Sequence, residues 1–286
     1  MPRLHFLLGG LLKLGLAAIG IVGAIAAGRS IIAPAIGIAF RLDPHALSLV
    51  RRASIFIAMV LAYWTFVRYY ERREPKELAL RFWWILLAAA AGALSIGVTI
   101  LALYATHNYQ LVSVRGFGGL SDVFPQLCIA AVIEELLFRA VLFRILEERL
   151  GTRVGLFGSA VIFCAAHVTN NGVRWITLIS VTLAGLMWAL IYSAWRNVWV
   201  VAAHHCCWNA VIFMTGLPLS GEDWRLMAPF GSVSPGPILL TGGAFGPEDS
   251  LVNLVVSVGI CIALWHIAAQ RSKVMTLQPT SGALPS

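Results

Sequence analysis

Charge is what this sequence has least of. Only 12% of its 286 residues are charged, whereas 59% are hydrophobic and the mean hydropathy is +0.83. An ordinary soluble domain carries roughly 25% charged residues, and a chain with half that share cannot cover a water-facing surface. The shortage excludes a soluble enzyme, a disordered regulator and a nucleic-acid-binding domain. Cysteine offers no framework either: Cys128, Cys164, Cys206, Cys207 and Cys261 lie in apolar stretches without CxxC spacing. They read as buried thiols, neither a disulfide scaffold nor a zinc knuckle. No internal repeat is visible. Gly116-Phe117-Gly118-Gly119 lacks the strand, the helix and the remaining glycine of a phosphate loop. The net charge of +8 does not call for a polyanion, because the basic residues sit at the edges of apolar runs.

What is present is a series of long apolar runs. A helix needs about 20 largely apolar residues to cross a bilayer, and such runs occur near 6–28, 53–70, 82–105, 121–149, 153–168, 175–195, 197–215 and 251–270. Their continuous apolarity predicts an all-α, polytopic transmembrane bundle of about eight spans, since barrel strands would alternate. The fifth run is short, so its helix is expected to continue past His167. The first run has a long apolar core interrupted early by Lys13, which favours a retained anchor over a cleaved leader. The decad 31–40 is too short to span and reads as an interfacial or re-entrant piece.

Eight spans place both termini on one side. With the termini in the cytoplasm of a plasma (inner) membrane, Arg3, Arg68, Arg72, Arg73, Lys76, Arg81, Arg144, Arg149, Arg153, Arg196, Arg271 and Lys273 lie inside. Arg29, Arg41, Arg51, Arg52, Arg115, Arg174 and Arg225 then lie outside, a smaller set. Three regions follow: N-terminal helices over 1–120, a core over 121–215, and an extended loop, last helix and tail over 216–286. Trp195-Arg196-Asn197-Val198-Trp199 reads as an interfacial hairpin. The Pro/Gly-rich loop 216–250 contains no recognisable site motif.

Ionisable groups at membrane depth are costly and mark functional sites by default. The fourth run holds Glu134-Glu135 and, four residues after Glu135, Arg139. The Glu135–Arg139 spacing allows a same-face pair. Glu134 points about 100° away and is left with less compensation, which suits a general base working near pH 7. The fifth run ends at Phe163-x-x-x-His167, and the seventh holds His204 and His205-x-x-x-Asn209. His205 and Asn209 share one helical face; His204 lies about 100° away, toward another helix or lipid. Counted at about 1.5 Å per residue, Glu134 lies roughly 20 Å from Arg149, His167 about 20 Å from Arg153, and Asn209 about 18 Å from Asn197. On neighbouring antiparallel helices these groups can meet in one cavity. Lys13 and His5 can snorkel, His266 is alone in the last run, and Cys164 is explained as a small packing residue.

A carboxylate, two imidazoles, a carboxamide and an arginine suit amide hydrolysis. Glu134 with His167 can hold and deprotonate a water, and His205 with Asn209 can donate to the oxyanion. Alternatively Glu134, His167 and His205 can act as three ligands to zinc, although HExxH is absent.

Taken in order, Glu134-Glu135-x-x-x-Arg139, Phe163-x-x-x-His167 and His205-x-x-x-Asn209 resemble the CPBP family: the CAAX prenyl endopeptidases of the Ras-converting type and their bacterial abortive-infection and bacteriocin-processing relatives. The resemblance covers about 121–215. It implies an eight-helix intramembrane protease acting on a membrane-associated protein or peptide, prenylated or signal-bearing, at the lipid bilayer. It implies Glu134 and His167 as the water-activating pair, His205 and Asn209 as oxyanion support, and Glu135 and Arg139 as structural and electrostatic partners. Ala140 stands where glycine is common in that family. Its members have been described both as zinc enzymes and as cofactor-free glutamate proteases. Two other readings stay open: a non-catalytic immunity or assembly protein using the cluster as interhelical glue, and an ion-coupled transporter. The missing repeat and the lack of matched broken helices speak against the transporter.

Overall fold

The computed structural model describes residues 2–272; Lys273 and the rest of the C-terminal tail lie outside the described residues. The chain is mainly helical: α1 (Pro2–Ala27), α2 (Ala33–Phe40), α3 (Pro44–Thr65), α4 (Phe82–Ala105), α5 (Leu120–Glu135), α6 (Arg144–Leu150), α7 (Thr152–Ala166), α8 (Trp175–Trp195), α9 (Val198–Thr215), α10 (Ile238–Thr241) and α11 (Leu251–Ser272). Two short strands, β1 (Gln110–Val114) and β2 (Phe230–Val233), complete it. Six helical stretches are long and apolar enough to cross a membrane. The path from Leu120 to Leu150 is roughly 45 Å long at 1.5 Å per residue but carries much of the chain's buried charge. Helix α7, with 15 residues, is the shortest of the membrane-depth elements. The architecture is a polytopic helical bundle of about eight spans.

Two sequence expectations need correction. Residues 31–40 are no separate re-entrant piece: α1 passes through a π-helical turn, Gly28–Ile32, directly into α2. The wider turn sits just before Pro34, where a regular helix would clash with the proline ring. The rod stops only at Arg41, in the left-handed conformation (φ 50°). The fifth helix, conversely, does not continue past His167. It ends at Ala166 with His167 as its C-cap, because His167-Val168-Thr169-Asn170-Asn171-Gly172 is turn chemistry rather than helix chemistry.

Helix starts follow local rules. Asp43 caps α3 through Oδ1, accepting from His45 N at 2.8 Å, with Pro44 in the first turn. In the tight α8–α9 turn, Arg196 adopts the left-handed conformation and Asn197 Oδ1 accepts from Val200 N at 3.1 Å. Asn197 Nδ2 also donates to Ala79 O at 2.6 Å, and Trp199 Nε1 to Leu78 O at 2.8 Å. The expected aromatic hairpin is therefore anchored to the segment before α4.

Helix α9 is the hub. It lies along α4, where Gly92 has no room for a side chain: a Cβ there would overlap the His204 carbonyl. Helix α8 meets α7 at Gly185, where a Cβ would come within 3.1 Å of Ala160 Cα. Small residues let these backbones approach closely enough for polar groups on neighbouring helices to meet. At the other end of the bundle, β1 pairs antiparallel with β2, from Gln110↔Val233 to Val114↔Phe230 with a bulge between Leu111 and Ser113. This ribbon clips the 216–250 loop onto the α4–α5 connection. Tyr109 adds a hydrogen bond to Thr241 O at 2.5 Å.

Candidate active site

Helix α5 widens into a π-helical segment, Leu136–Phe143, immediately after Glu134-Glu135. Such widened turns recur at functional sites because they re-aim side chains. Glu135 and Arg139 are fully buried, and Glu135 Oε2 lies 3.0 Å from Arg139 Nε. That approach is off the hydrogen-bonding axis, so the pair is held by charge. Arg139 also donates through Nη2 to Gly185 O at 3.1 Å and lies 4.6 Å over the Phe163 ring and 5.5 Å over the Trp188 ring. Flat aromatic faces replace part of the water that a guanidinium would otherwise hold.

Glu135 has a second partner. Its Oε1 lies 2.8 Å from His205 Nδ1, while His205 Nε2 faces Glu134 Oε2 at 3.9 Å. The His205 ring stacks on Trp188 at 3.7 Å between centroids. Glu135 thus links Arg139 to His205 and holds the imidazole. His204 points the other way and accepts from Trp188 Nε1 at 3.2 Å; it faces helix α8, not lipid.

His167 Nδ1–H donates to the Phe163 carbonyl at 2.8 Å. The same Phe163 ring packs against the imidazole at 4.5 Å. Because a carbonyl can only accept, Nδ1 carries the proton and Nε2 keeps a lone pair. Phe163 therefore supports both Arg139 and His167.

The four groups expected to do chemistry line one cavity of about 290 Å³: Glu134 from α5, His167 from the end of α7, and His205 and Asn209 from α9. Glu134 Oε2 is buried there without a hydrogen-bond partner. The cavity extends up to Ser220, Glu222 and Trp224 of the 216–250 loop. That loop, in which the sequence shows no recognisable site motif, supplies part of the cavity wall.

Sequence reasoning missed Glu248, which also lines the cavity. Its Oε2 accepts from Ser220 N and Ser220 Oγ, both at 2.7 Å, and its Oε1 from Trp208 Nε1 at 3.2 Å. Burial pushes its carboxyl above the usual carboxylate range, against the hydrogen bonds of Ser220 and Trp208 that favour its charge. The one sequence signal was an acidic pair, Glu248-Asp249, just ahead of the last apolar run. Asp249 is taken up by Arg174 at 2.6 Å and Thr177 at 2.9 Å, which ties the loop to the start of α8.

Among the described residues, no three His, Cys, Asp or Glu side chains converge as a ligand set. His167 Nδ1 and His205 Nδ1 are each held by a protein oxygen, and His205 Nε2 stands 3.9 Å from Glu134 Oε2. The cysteines behave as free thiols; Cys128 Sγ and Cys206 Sγ touch at 2.7 Å between α5 and α9.

Residues 115–211 match the family described as type II CAAX prenyl endopeptidase, Rce1-like. The matched segment contains Glu134, Glu135, Arg139, Phe163, His167, His205 and Asn209. No curated protein and no solved structure matches the chain.

Proposed function

We propose that this integral membrane protein, with its Rce1-like domain, is an intramembrane endopeptidase. It hydrolyses a peptide bond in a membrane-associated protein or peptide with a water activated by Glu134 and His167. The observation that carries this reading is the convergence of Glu134, His167, His205 and Asn209, from three helices, on one cavity inside the matched segment.

The chemistry follows from the hydrogen bonds. Glu134 Oε2, buried and unpartnered, accepts a proton from a water while His167 Nε2 orients it. The oxygen attacks the carbonyl carbon, and the developing oxyanion is met by the Asn209 amide and by His205 Nε2–H. Glu134 then gives its proton to the amide nitrogen as the C–N bond breaks.

His205 can donate only if the Glu135–His205 pair holds one proton beyond the His205 Nδ1–H···Glu135 arrangement. That proton can sit on either partner, and in both forms Nε2 carries hydrogen. Arg139 balances Glu135 in the form where it is charged. No step passes through a metal.

The basic residues cluster at the end carrying Arg68, Arg81, Arg144 and Arg196, so that end is cytoplasmic, together with both termini, in a plasma membrane. The cavity mouth at Glu222 then faces the other side. Purified protein incubated with membrane peptides in ¹⁸O-labelled water tests the reading. New C-termini carrying ¹⁸O are expected, and Glu134→Gln removes them. Their absence from properly folded wild-type protein contradicts it.

A further inference from the structure

The five cysteines are free thiols, and two of them stand apart from the rest. Cys164 Sγ donates to Leu178 O at 3.4 Å and Cys261 Sγ to Leu183 O at 3.7 Å, so each is engaged by a backbone carbonyl of α8. Cys128 on α5 and Cys206 on α9 instead meet each other, sulfur to sulfur at 2.7 Å, across 78 residues of chain. A disulfide sets its sulfurs about 2.05 Å apart, so only a small approach separates the two thiols from a bond. Their helices carry the candidate chemistry. Cys128 lies six residues before Glu134, roughly 9 Å of helical rise, and Cys206 directly follows His205. Leu127 and His205, the residues just ahead of the two cysteines, both line the cavity. The sulfur contact therefore sits at the α5–α9 seam, beside the cavity wall. Cys128 is half-buried, whereas Cys206 is only 5% exposed, so a small oxidant reaches Cys128 first.

We propose that Cys128 and Cys206 form a modification site: a dithiol that a small, uncharged two-electron oxidant, hydrogen peroxide, closes into a disulfide. The bond joins the helix of Glu134 to the helix of His205 and Asn209. In the first step the Cys128 sulfur attacks one peroxide oxygen and the O–O bond breaks. The departing oxygen takes up the thiol proton as water, and Cys128 is left as a sulfenic acid. The Cys206 sulfur then attacks the Cys128 sulfur; the S–O bond breaks, the S–S bond forms, and the hydroxyl leaves with the Cys206 proton as a second water. Two thiols are oxidised and one peroxide is reduced. Because the sulfurs already touch, closure keeps the spacing of the two helices. Because it closes a 78-residue loop containing α6, α7 and α8, it restrains the unfolded chain. The oxidised protein therefore keeps the cavity assembled at temperatures where the reduced protein loses it. Bond formation needs no substrate and does not rest on the endopeptidase reading.

The test uses the full-length protein in nanodiscs of phosphatidylethanolamine and phosphatidylglycerol, treated with hydrogen peroxide or kept under a phosphine reductant. Remaining thiols are alkylated, and non-reduced digests are read by mass spectrometry. Peroxide should give a linked Cys128–Cys206 peptide pair in most of the folded protein, reversed by the reductant. It should also raise the thermal midpoint by about 5 °C or more. Cys206→Ala and Cys128→Ser should each remove the link and the shift together; Cys128→Ser, at the half-buried position, carries the test if Cys206→Ala fails to fold. Cys207→Ser, also half-buried, should keep both. Folded protein in which peroxide leaves Cys128 and Cys206 unlinked, links Cys128 to Cys207 instead, or joins the pair without moving the midpoint overturns the proposal. Peptide cleavage by the same preparations keeps the two readings separate. Linked protein that cleaves nothing in either redox form contradicts the endopeptidase reading alone, and a cleaving protein that forms no link contradicts this proposal alone.

Discussion

The two ends of this bundle use carboxylates in opposite ways. At the arginine-rich end, every deeply buried carboxylate has a guanidinium. Glu71 lies 2.9 Å from Arg73 and 2.8 Å from Arg144; Glu77 lies 2.7 Å from Arg73; Glu147 lies 2.8 Å from Arg196. Thr152 and Tyr63 supply further hydrogen bonds to Glu147 and Glu77. At the cavity end, Glu134, Glu222 and Glu248 face a space that, among the described residues, no lysine or arginine lines. Saturated charge ties loops and helix ends together. A carboxylate left facing a cavity without a guanidinium is available for chemistry. Glu135, joined to both Arg139 and His205, sits where the two uses meet.

This contrast can be broken by substitution, and the largest effect belongs to the cavity. Glu134→Gln should lower the cleavage rate by about 10²–10⁴-fold and leave the thermal midpoint nearly unchanged, because Oε2 has no hydrogen bond to lose among the described residues; turnover and melting curves of the same preparation read both. Arg139→Met strikes the joint between the two regions. It leaves Glu135 buried without its cation and should cost about 3–5 kcal/mol of stability, with activity lost as the His205 anchor slackens. Asn209→Ala should reduce kcat by about 10²–10³-fold with little change in KM, as for removal of one oxyanion donor.

Smaller effects lie at the saturated end. Glu147→Gln weakens the pairing with Arg196 and should cost about 1–3 kcal/mol while the folded protein keeps its turnover. Full activity loss there without loss of folded protein would erase the distinction between the ends. The mildest test is pH. Glu248 has its carboxyl raised by burial, so on acidification it takes up a proton before ordinary surface carboxylates do. Its contribution to the thermal midpoint should therefore grow as pH falls from neutral and be lost as pH rises. Glu248→Gln should flatten that profile.

The sequence made part of this legible. Long apolar runs gave the bundle, and Glu134, Glu135, Arg139, His167, His205 and Asn209 stood out because so few polar residues lie at that depth. Helical spacing alone paired Glu135 with Arg139 and set His205 beside Asn209, and both arrangements appear in the structure. Spacing does not register how a proline is absorbed, so the π-turn joining α1 to α2 was hidden. Apolarity says little about where a helix stops within a span, so the end of α7 at Ala166 was missed. Glu248 was invisible for a different reason. It reaches the cavity because Ser220 and Trp208 hold its carboxylate, and contacts over 28 and 40 residues leave no periodic trace.

The central claim is that Glu134 cuts a peptide bond in a membrane-associated substrate. Comparative membrane proteomics of cells producing the wild-type chain or Glu134→Gln, at matched levels of folded protein, addresses it most directly. The account predicts that one or a few full-length precursors accumulate with Glu134→Gln. Indistinguishable peptide profiles from the two strains would contradict it.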